Sequence, residues 1–261
     1  MRLNKKSLGQ NFLIDKNIIK KIINLTCIKN RHIIEIGPGE GALTNEILKH
    51  KPKSLSIIEK DTGLAKKLEL KFYNIKIIKV YNADILKFNL ENIIKKNSVI
   101  MGNLPYNISS QILVKILKFS KWFPNFSDLI LMFQKELGEK VIGKYLSPNY
   151  GRLSILSSYR LILLKKFLVS ANCFSPKPKV TSMVLHFQPT KNKFYKIKNI
   201  SNLEKITNIL FSNKRKMINK NLKKILTKNE ISKINDLKLN YRPSEIQPNL
   251  YYKITEFYEK K

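Results

Sequence analysis

Arg31-His32-Ile33-Ile34-Glu35-Ile36-Gly37-Pro38-Gly39-Glu40-Gly41 is the stretch that decides the fold. Arg31 to Ile36 is a short, mostly β-branched apolar run, the pattern of a buried strand. From about Ala42 to Lys49 the spacing becomes helical. Between the two stand three glycines, which let a backbone turn sharply and approach a ligand closely. A strand, a Gly-rich turn and a helix in that order open an α/β unit whose ligand lies against the turn. The spacing is G-x-G-x-G, not G-x-G-x-x-G, and the Glu40 carboxylate inside the turn repels phosphate. A pyrophosphate-bearing ligand is therefore a poor fit.

The same alternation continues outward. Strands are expected at Ser54 to Glu59, Ile75 to Tyr81, Ser98 to Asn103 and Leu129 to Gln134. Helices are expected at about Thr62 to Phe72 and Ser109 to Phe119. Upstream, Asp15 is a good N-cap for a helix from about Lys16 to Leu25, with Ile18, Ile19, Ile22 and Ile23 on one face. Strands alternating with helices predict a mostly parallel sheet covered on both faces. Tyr159 to Val169 and Val180 to Phe187 are strand-like and would close the sheet as a hairpin-like, antiparallel last pair. Pro189 and Thr190 to Lys193 read as a linker. Beyond it, Leu203 to Leu210, Lys214 to Leu226 and Leu250 to Tyr258 have helical spacing. The expected organisation is an α/β, Rossmann-like domain over residues 1–189 and a small all-helical domain over residues 190–261.

Composition narrows the function classes. The 261-residue chain carries 50 basic and 18 acidic residues, a formal net charge of +32. Residues 191–261 are denser in positive charge, with 18 basic against 6 acidic side chains. Counterion release makes a polyanion such as nucleic acid the natural partner; the alternative is coding bias, since only six of the 50 are Arg and Ile and Asn are also abundant. No run of 18 apolar residues occurs, so no membrane span is expected. Two cysteines, Cys27 and Cys173, form no disulfide framework, and with His32, His50 and His186 isolated no metal site is expected. The Lys-rich start is not expected to be a removable leader, because a motif discussed below already includes Gln10.

Acidic and amide residues then fall at the carboxyl ends of the expected strands: Glu35, Glu59, Asp84 and Asn103. Ligands of parallel sheets bind in the crevice at those ends. Glu59 is placed to accept both hydroxyls of a ribose, and Asp84 an adenine amino group. With Gly37 and Gly39 they favour an adenosyl ligand without a phosphate chain. S-adenosyl-L-methionine fits, with S-adenosyl-L-homocysteine as product, because its cationic sulfonium and amino groups suit nearby carboxylates.

Asn103-Leu104-Pro105-Tyr106 closes the fourth strand. An adenine amino group is a poor nucleophile, its lone pair being delocalised into the ring. Two acceptors aimed at its hydrogens, the Asn103 side-chain oxygen and the Leu104 carbonyl, would localise that lone pair. Pro105 stiffens the turn, and Tyr106 offers a ring for an unstacked base. Phe174 heads the stiff segment Phe174-Ser175-Pro176-Lys177-Pro178-Lys179-Val180. Its ring is either the opposite wall of a base sandwich or an ordinary core aromatic.

These residues together resemble the ribosomal RNA adenine N6-dimethyltransferases of the KsgA type over nearly the whole chain. Lys6 to Leu13 is similar to the family's N-terminal cofactor motif, Glu35 to Thr44 to its Gly-rich motif and Glu59-Lys60-Asp61 to its ribose motif. Asn103 to Tyr106 resembles its catalytic tetrapeptide. Phe133 to Glu136, Tyr150 to Ser154 and Phe174 to Val180 also match. The resemblance implies cofactor contacts at Asn11, Leu13, Gly37, Glu59, Asp84 and Asn103. It implies double methylation of two adjacent adenosines in the hairpin near the 3′ end of small-subunit ribosomal RNA, late in subunit assembly. The implied enzyme is cytoplasmic and monomeric, acts on an immature small subunit, and has a helical C-terminal domain that helps dock RNA. There Phe211, Lys214-Arg215-Lys216 and Asn221-Leu222 resemble the family's basic helix. Rival readings are a large-subunit adenine dimethyltransferase of the antibiotic-resistance type, a non-catalytic RNA-binding factor on the same fold, and a methyltransferase for proteins or small molecules, which the charge disfavours.

Overall fold

The computed structural model describes residues 11–192 and 194–260. Residues Lys6 to Gln10 of the N-terminal motif lie outside the described range. The chain divides into two compact units: residues up to Gly138 with Leu163–Pro189, and Glu139–Ile162 with the chain from Thr190 onward. One change of unit falls between Pro189 and Thr190. The segment Glu139–Ile162 groups with the C-terminal helices.

The chain runs β1 (Phe12–Leu13), α1 (Lys16–Ile23), β2 (His32–Ile36), α2 (Ala42–Lys49), β3 (Ser54–Glu59), α3 (Thr62–Lys71), β4 (Ile78–Asn82), β5 (Ser98–Asn103) and α4 (Ser109–Leu117). It continues through β6 (Phe126–Gln134), α5 (Lys135–Val141), α6 (Arg152–Arg160), β7 (Leu161–Val169), β8 (Phe174–Ser175) and β9 (Ser182–Pro189). Then come α7 (Ile200–Phe211), α8 (Asn219–Leu222), α9 (Lys228–Ser232) and α10 (Pro248–Tyr258). In the first unit the sheet order is β4-β3-β2-β5-β6-β9-β7. β2, β3, β4, β5 and β6 pair in parallel, and β9 lies antiparallel to β6. The mostly parallel Rossmann-like sheet is therefore present.

The central strands are buried on both faces, which is why they read as apolar runs: Ile33, Leu55, Ile57, Val99, Ile100 and Leu131 are fully enclosed. Helix α1 starts where Asp15 accepts from the Asn17 and Ile18 amides at 2.9 Å, and it buries Ile19, Ile22 and Ile23. Each such side chain contributes ~1.5–3 kcal/mol of burial.

Several boundaries move, for physical reasons. β6 begins three residues before Leu129, because polar Asp128 is carried inside the strand by Arg31 and His186. β4 begins at Ile78 because the Ile78 amide first closes a turn on the Ile75 carbonyl. Arg152–Arg160 is helix, so the following strand starts at Leu161. Phe12–Leu13 and Phe174–Ser175 pair as a small antiparallel sheet, which alternation over two residues cannot reveal.

In the second unit α6, α7 and α10 pack on one another, with Leu203, Ile206, Leu210 and Tyr251 fully buried. Phe211 stacks on Tyr251 with ring centroids 5.8 Å apart. Tyr150 donates to the Ile246 carbonyl at 2.8 Å. The helix expected over Lys214 to Leu226 contracts to Asn219–Leu222. The Ile218 amide is given to the distant Tyr241 carbonyl at 2.8 Å, so no helix passes through it. Among the described residues no helix is long and apolar enough to cross a membrane.

Candidate active site

The first unit holds a cavity of about 390 Å³ at the carboxyl ends of the parallel strands, a size typical of small-ligand sites. The Gly-rich turn forms one wall. Gly37, Gly39 and Gly41 have φ of +68°, +58° and +82°, conformations that side chains resist. Gly39 is further constrained by Phe12: a Cβ there would lie 2.6 Å from the Phe12 ring.

Nine of the expected residues line this one cavity: Asn11, Leu13, Gly37, Gly39, Glu59, Asn103, Leu104, Pro105 and Tyr106. Glu59 is buried and accepts from the Asp61 amide at 2.8 Å and, longer, from the Gly39 amide at 3.4 Å. Burial raises its carboxyl's affinity for a proton, partly countered by those amides. The Asn103 Nδ2 donates to the Asn11 carbonyl at 2.9 Å. That bond engages the Nδ2 end of the amide and leaves Oδ1 as its acceptor end at the cavity wall. The Tyr106 hydroxyl and the Ser182 Oγ share a hydrogen bond of 2.6 Å. Burial pushes the phenol's pKa up, so Tyr106 stays neutral and serves as a fixed ring.

Three expected residues do not reach the cavity. Asp84 is turned to Lys60 at 2.8 Å and to the Leu86 amide at 2.9 Å; its neighbours Ala83 and Ile85 supply the wall. The Lys60 hydrogen bond holds the Asp84 carboxyl below its ordinary range. Glu35 is fully buried behind the Gly-rich turn, accepting from the Thr44 hydroxyl at 2.6 Å, with its Oε1 unpartnered. Burial pushes it up to about 7. Phe174 is 3 % exposed in the core cluster with Leu13, Ile19 and Ile22. Its register opposite Leu13 turns the ring inward, so it packs as a core aromatic and does not face Tyr106 across the cavity.

Other wall residues carried no signal of their own. Ile58, Leu64, Ile85 and Ile108 give an apolar slot beside the Glu59 carboxylate, and Ser182 anchors Tyr106 from 76 residues away. An apolar slot for a purine and a carboxylate for a ribose diol, beside a tight glycine turn that admits close approach, fit an adenosyl group.

A Rossmann-like sheet with such a cavity and an Asn-Leu-Pro-Tyr turn at its mouth has the architecture of S-adenosylmethionine-dependent methyltransferases. A family model described as ribosomal RNA adenine dimethylase matches residues 1–260. The chain belongs to this family. It is 45% identical over 262 aligned residues to a "Ribosomal RNA small subunit methyltransferase A" from Pelagibacter ubique, covering 98% of this chain and 97% of that one. Among solved structures, a dimethyladenosine transferase from Plasmodium falciparum superposes with a TM-score of 0.77 at 25% identity, over 95% of this chain and 98% of that one. The 23S rRNA methyltransferase ErmE shares the fold, with a TM-score of 0.68 at 22% identity over 95% of this chain and all of the other.

Proposed function

We propose that the chain transfers methyl groups from S-adenosyl-L-methionine to N6 of two adjacent adenosines in the 3′-terminal hairpin of small-subunit (16S) rRNA. The products are N6,N6-dimethyladenosines, made on an immature small subunit in the cytoplasm by a monomeric enzyme. The observation that carries the chemistry is the Asn103 amide at the cavity wall, its Nδ2 held by the Asn11 carbonyl so that Oδ1 remains as the acceptor. The similarity to a small-subunit methyltransferase over almost the whole chain supports the choice of substrate.

When bound, the cofactor supplies an electrophilic methyl on a sulfonium. Glu59 would hold the ribose, with Gly37, Gly39, Asn11 and Leu13 around the remainder. In the first transfer Asn103 Oδ1 and the Leu104 carbonyl accept the two amine hydrogens, in the second one of them accepts the hydrogen that remains, and N6 gains a localised lone pair. Tyr106 stacks the extruded base, and Pro105 limits the turn's freedom. Transfer rests on holding nitrogen and methyl in line. The nitrogen, cationic and acidic once methylated, gives its proton to solvent water, so no strong base is required.

The test is radiolabelled methyl transfer to immature small subunits and to large subunits, with N6,N6-dimethyladenosine quantified. Label in small-subunit RNA is expected. Label confined to large subunits would replace the substrate assignment, and tight RNA binding without transfer would favour a non-catalytic assembly factor.

A further inference from the structure

We propose that a lysine-lined groove between α1 and β7 holds the sugar-phosphate backbone of the substrate RNA beside the target base. The proposal rests on RNA being the substrate. The groove is lined by Lys20 and Lys21 of α1, Lys165 and Lys166 of β7, and the amides Asn17 and Asn24. All four lysines are exposed, and none forms an ion pair among the described residues. Of the nearby acids, Asp15 caps α1, and Glu46 holds Lys49 at 2.7 Å while also feeling the Lys20 charge. Phe167 is half-buried on the groove floor, with the Lys21 ammonium 4.3 Å over its ring.

Position distinguishes this patch from the lysines that cover the rest of the surface. Its two walls are tied together at the rim of the active-site cavity. Asn11 to Ile14 line that cavity, and α1 follows directly after Asp15. On the other wall, β7 leads through Ser170–Cys173 into β8, which pairs with β1. The Ile14 amide donates to the Cys173 carbonyl at 2.9 Å. The groove therefore starts about one helical turn from the cavity mouth. Asn17 to Asn24 extends it by about 10 Å at 1.5 Å per residue, which is about three phosphates at the per-strand spacing of a duplex. A strand delivering its base to Tyr106 can continue into this channel, where unpaired ammonium groups and amide donors meet phosphate oxygens. A second basic hollow, with Arg31, Lys53 and Lys96, lies at the opposite ends of the strands and contains the Asp128 carboxylate, so it suits phosphate less.

The test compares the wild type with K20Q/K21Q/K165Q/K166Q and with a control, K29Q/K66Q/K67Q/K76Q, which removes equal charge at exposed positions elsewhere. Binding to naked small-subunit rRNA and to immature small subunits is measured from 50 to 200 mM salt, with cofactor affinity and methyl transfer. At about 0.7 counterions per single-strand phosphate, losing about three phosphate contacts should take about 2 from the log–log salt slope of the groove variant. The wild type should then lose roughly 20-fold more affinity over that salt range than the groove variant. Cofactor affinity should be unchanged, reporting an intact fold. An equal loss in the control overturns the proposal, as does wild-type RNA binding in the groove variant. Loss of particle binding with naked-RNA binding intact assigns the groove to a ribosomal protein and also overturns it. A wild type that transfers nothing to RNA instead removes the substrate reading beneath it.

Discussion

The Asn103 side chain donates its Nδ2 hydrogen to the backbone carbonyl of Asn11, 92 residues earlier, at 2.9 Å. A carbonyl accepts and cannot donate, so the amide has one orientation and its oxygen is the end left for substrate. Asn103→Ala removes the acceptor and should lower single-turnover methyl transfer by about 10²–10³-fold, the usual cost of one preorganised polar group. Asn103→Asp should be as damaging, because a carboxylate faces the Asn11 carbonyl without a hydrogen to share. Cofactor affinity should fall only modestly in both. Wild-type turnover in Asn103→Ala would sink the lone-pair mechanism.

Tyr106 separates ring from hydroxyl. If the ring is the stacking surface, Tyr106→Phe keeps it and loses only the Ser182 hydrogen bond, so transfer should stay within a few-fold. Tyr106→Ala should weaken RNA substrate use by about 1–3 kcal/mol, the worth of one base–aromatic stack. Steady-state kinetics on small subunits distinguish the two, and equal losses would point to the hydroxyl.

Glu59 should divide binding from chemistry in the opposite sense. Its carboxylate accepts from two backbone amides and faces the cavity. Glu59→Ala loses the diol contact and loosens the turn at Gly39. Charge-assisted hydrogen bonds contribute ~1.5–3 kcal/mol each, so cofactor affinity should drop at least about tenfold. Calorimetric titration with S-adenosyl-L-homocysteine measures this without turnover; an unchanged affinity would move the ribose elsewhere.

Much of this was legible in the sequence because one physical pattern governed it. Strands buried on both faces read as apolar runs, and the polar residues that end them, such as Glu59 and Asn103, stand out against those runs. The positions that misled were set by partners distant in the chain. Asp84 follows its strand as expected but is drawn to Lys60. Phe174 heads a Pro-rich segment, and only its pairing with Leu13 turns the ring into the core. Ile218 sits in helical spacing, yet its amide belongs to Tyr241. Local periodicity carries no information about such long-range claims on a donor or a ring.

Glu35 gives the fold an unusual pH dependence. Burial pushes its carboxyl to about 7 from an ordinary value of 4.5; the Thr44 hydrogen bond opposes this and the Glu59 charge adds to it. The folded state therefore binds more protons than the unfolded chain between these values, and stability falls as pH rises through that window. The full penalty above pH 7 is about 3 kcal/mol at ~1.36 kcal/mol per unit. Glu35→Gln should remove the slope: relative to the variant, the wild type loses thermal stability from pH 5 to pH 8. Parallel melting-temperature curves would mean that Glu35 stays charged at its site.

Asp128 provides the converse case, at the other end of the sheet. Burial alone would raise its pKa, but hydrogen bonds from His186 at 2.7 Å, Arg31 at 2.8 Å and Ser127 hold the carboxyl well below the usual range. Its stabilisation is present above its ordinary value of 3.8 and is lost as pH falls below that. Asp128→Ala removes the carboxylate facing the Arg31 charge and the acceptor of the buried His186 ring, at a cost of about 3–5 kcal/mol. Asp128 stands opposite Val99 near the start of β5, whereas Asn103 ends that strand, about 13 Å away at 3.3 Å per residue. Below its melting temperature the variant should therefore bind cofactor normally and transfer methyl groups at the wild-type rate, while its melting temperature falls and its extra loss of stability in acid disappears. A large fall in transfer with the fold intact would show that this network acts on the cavity through the strands, instead of merely closing the far end of the sheet.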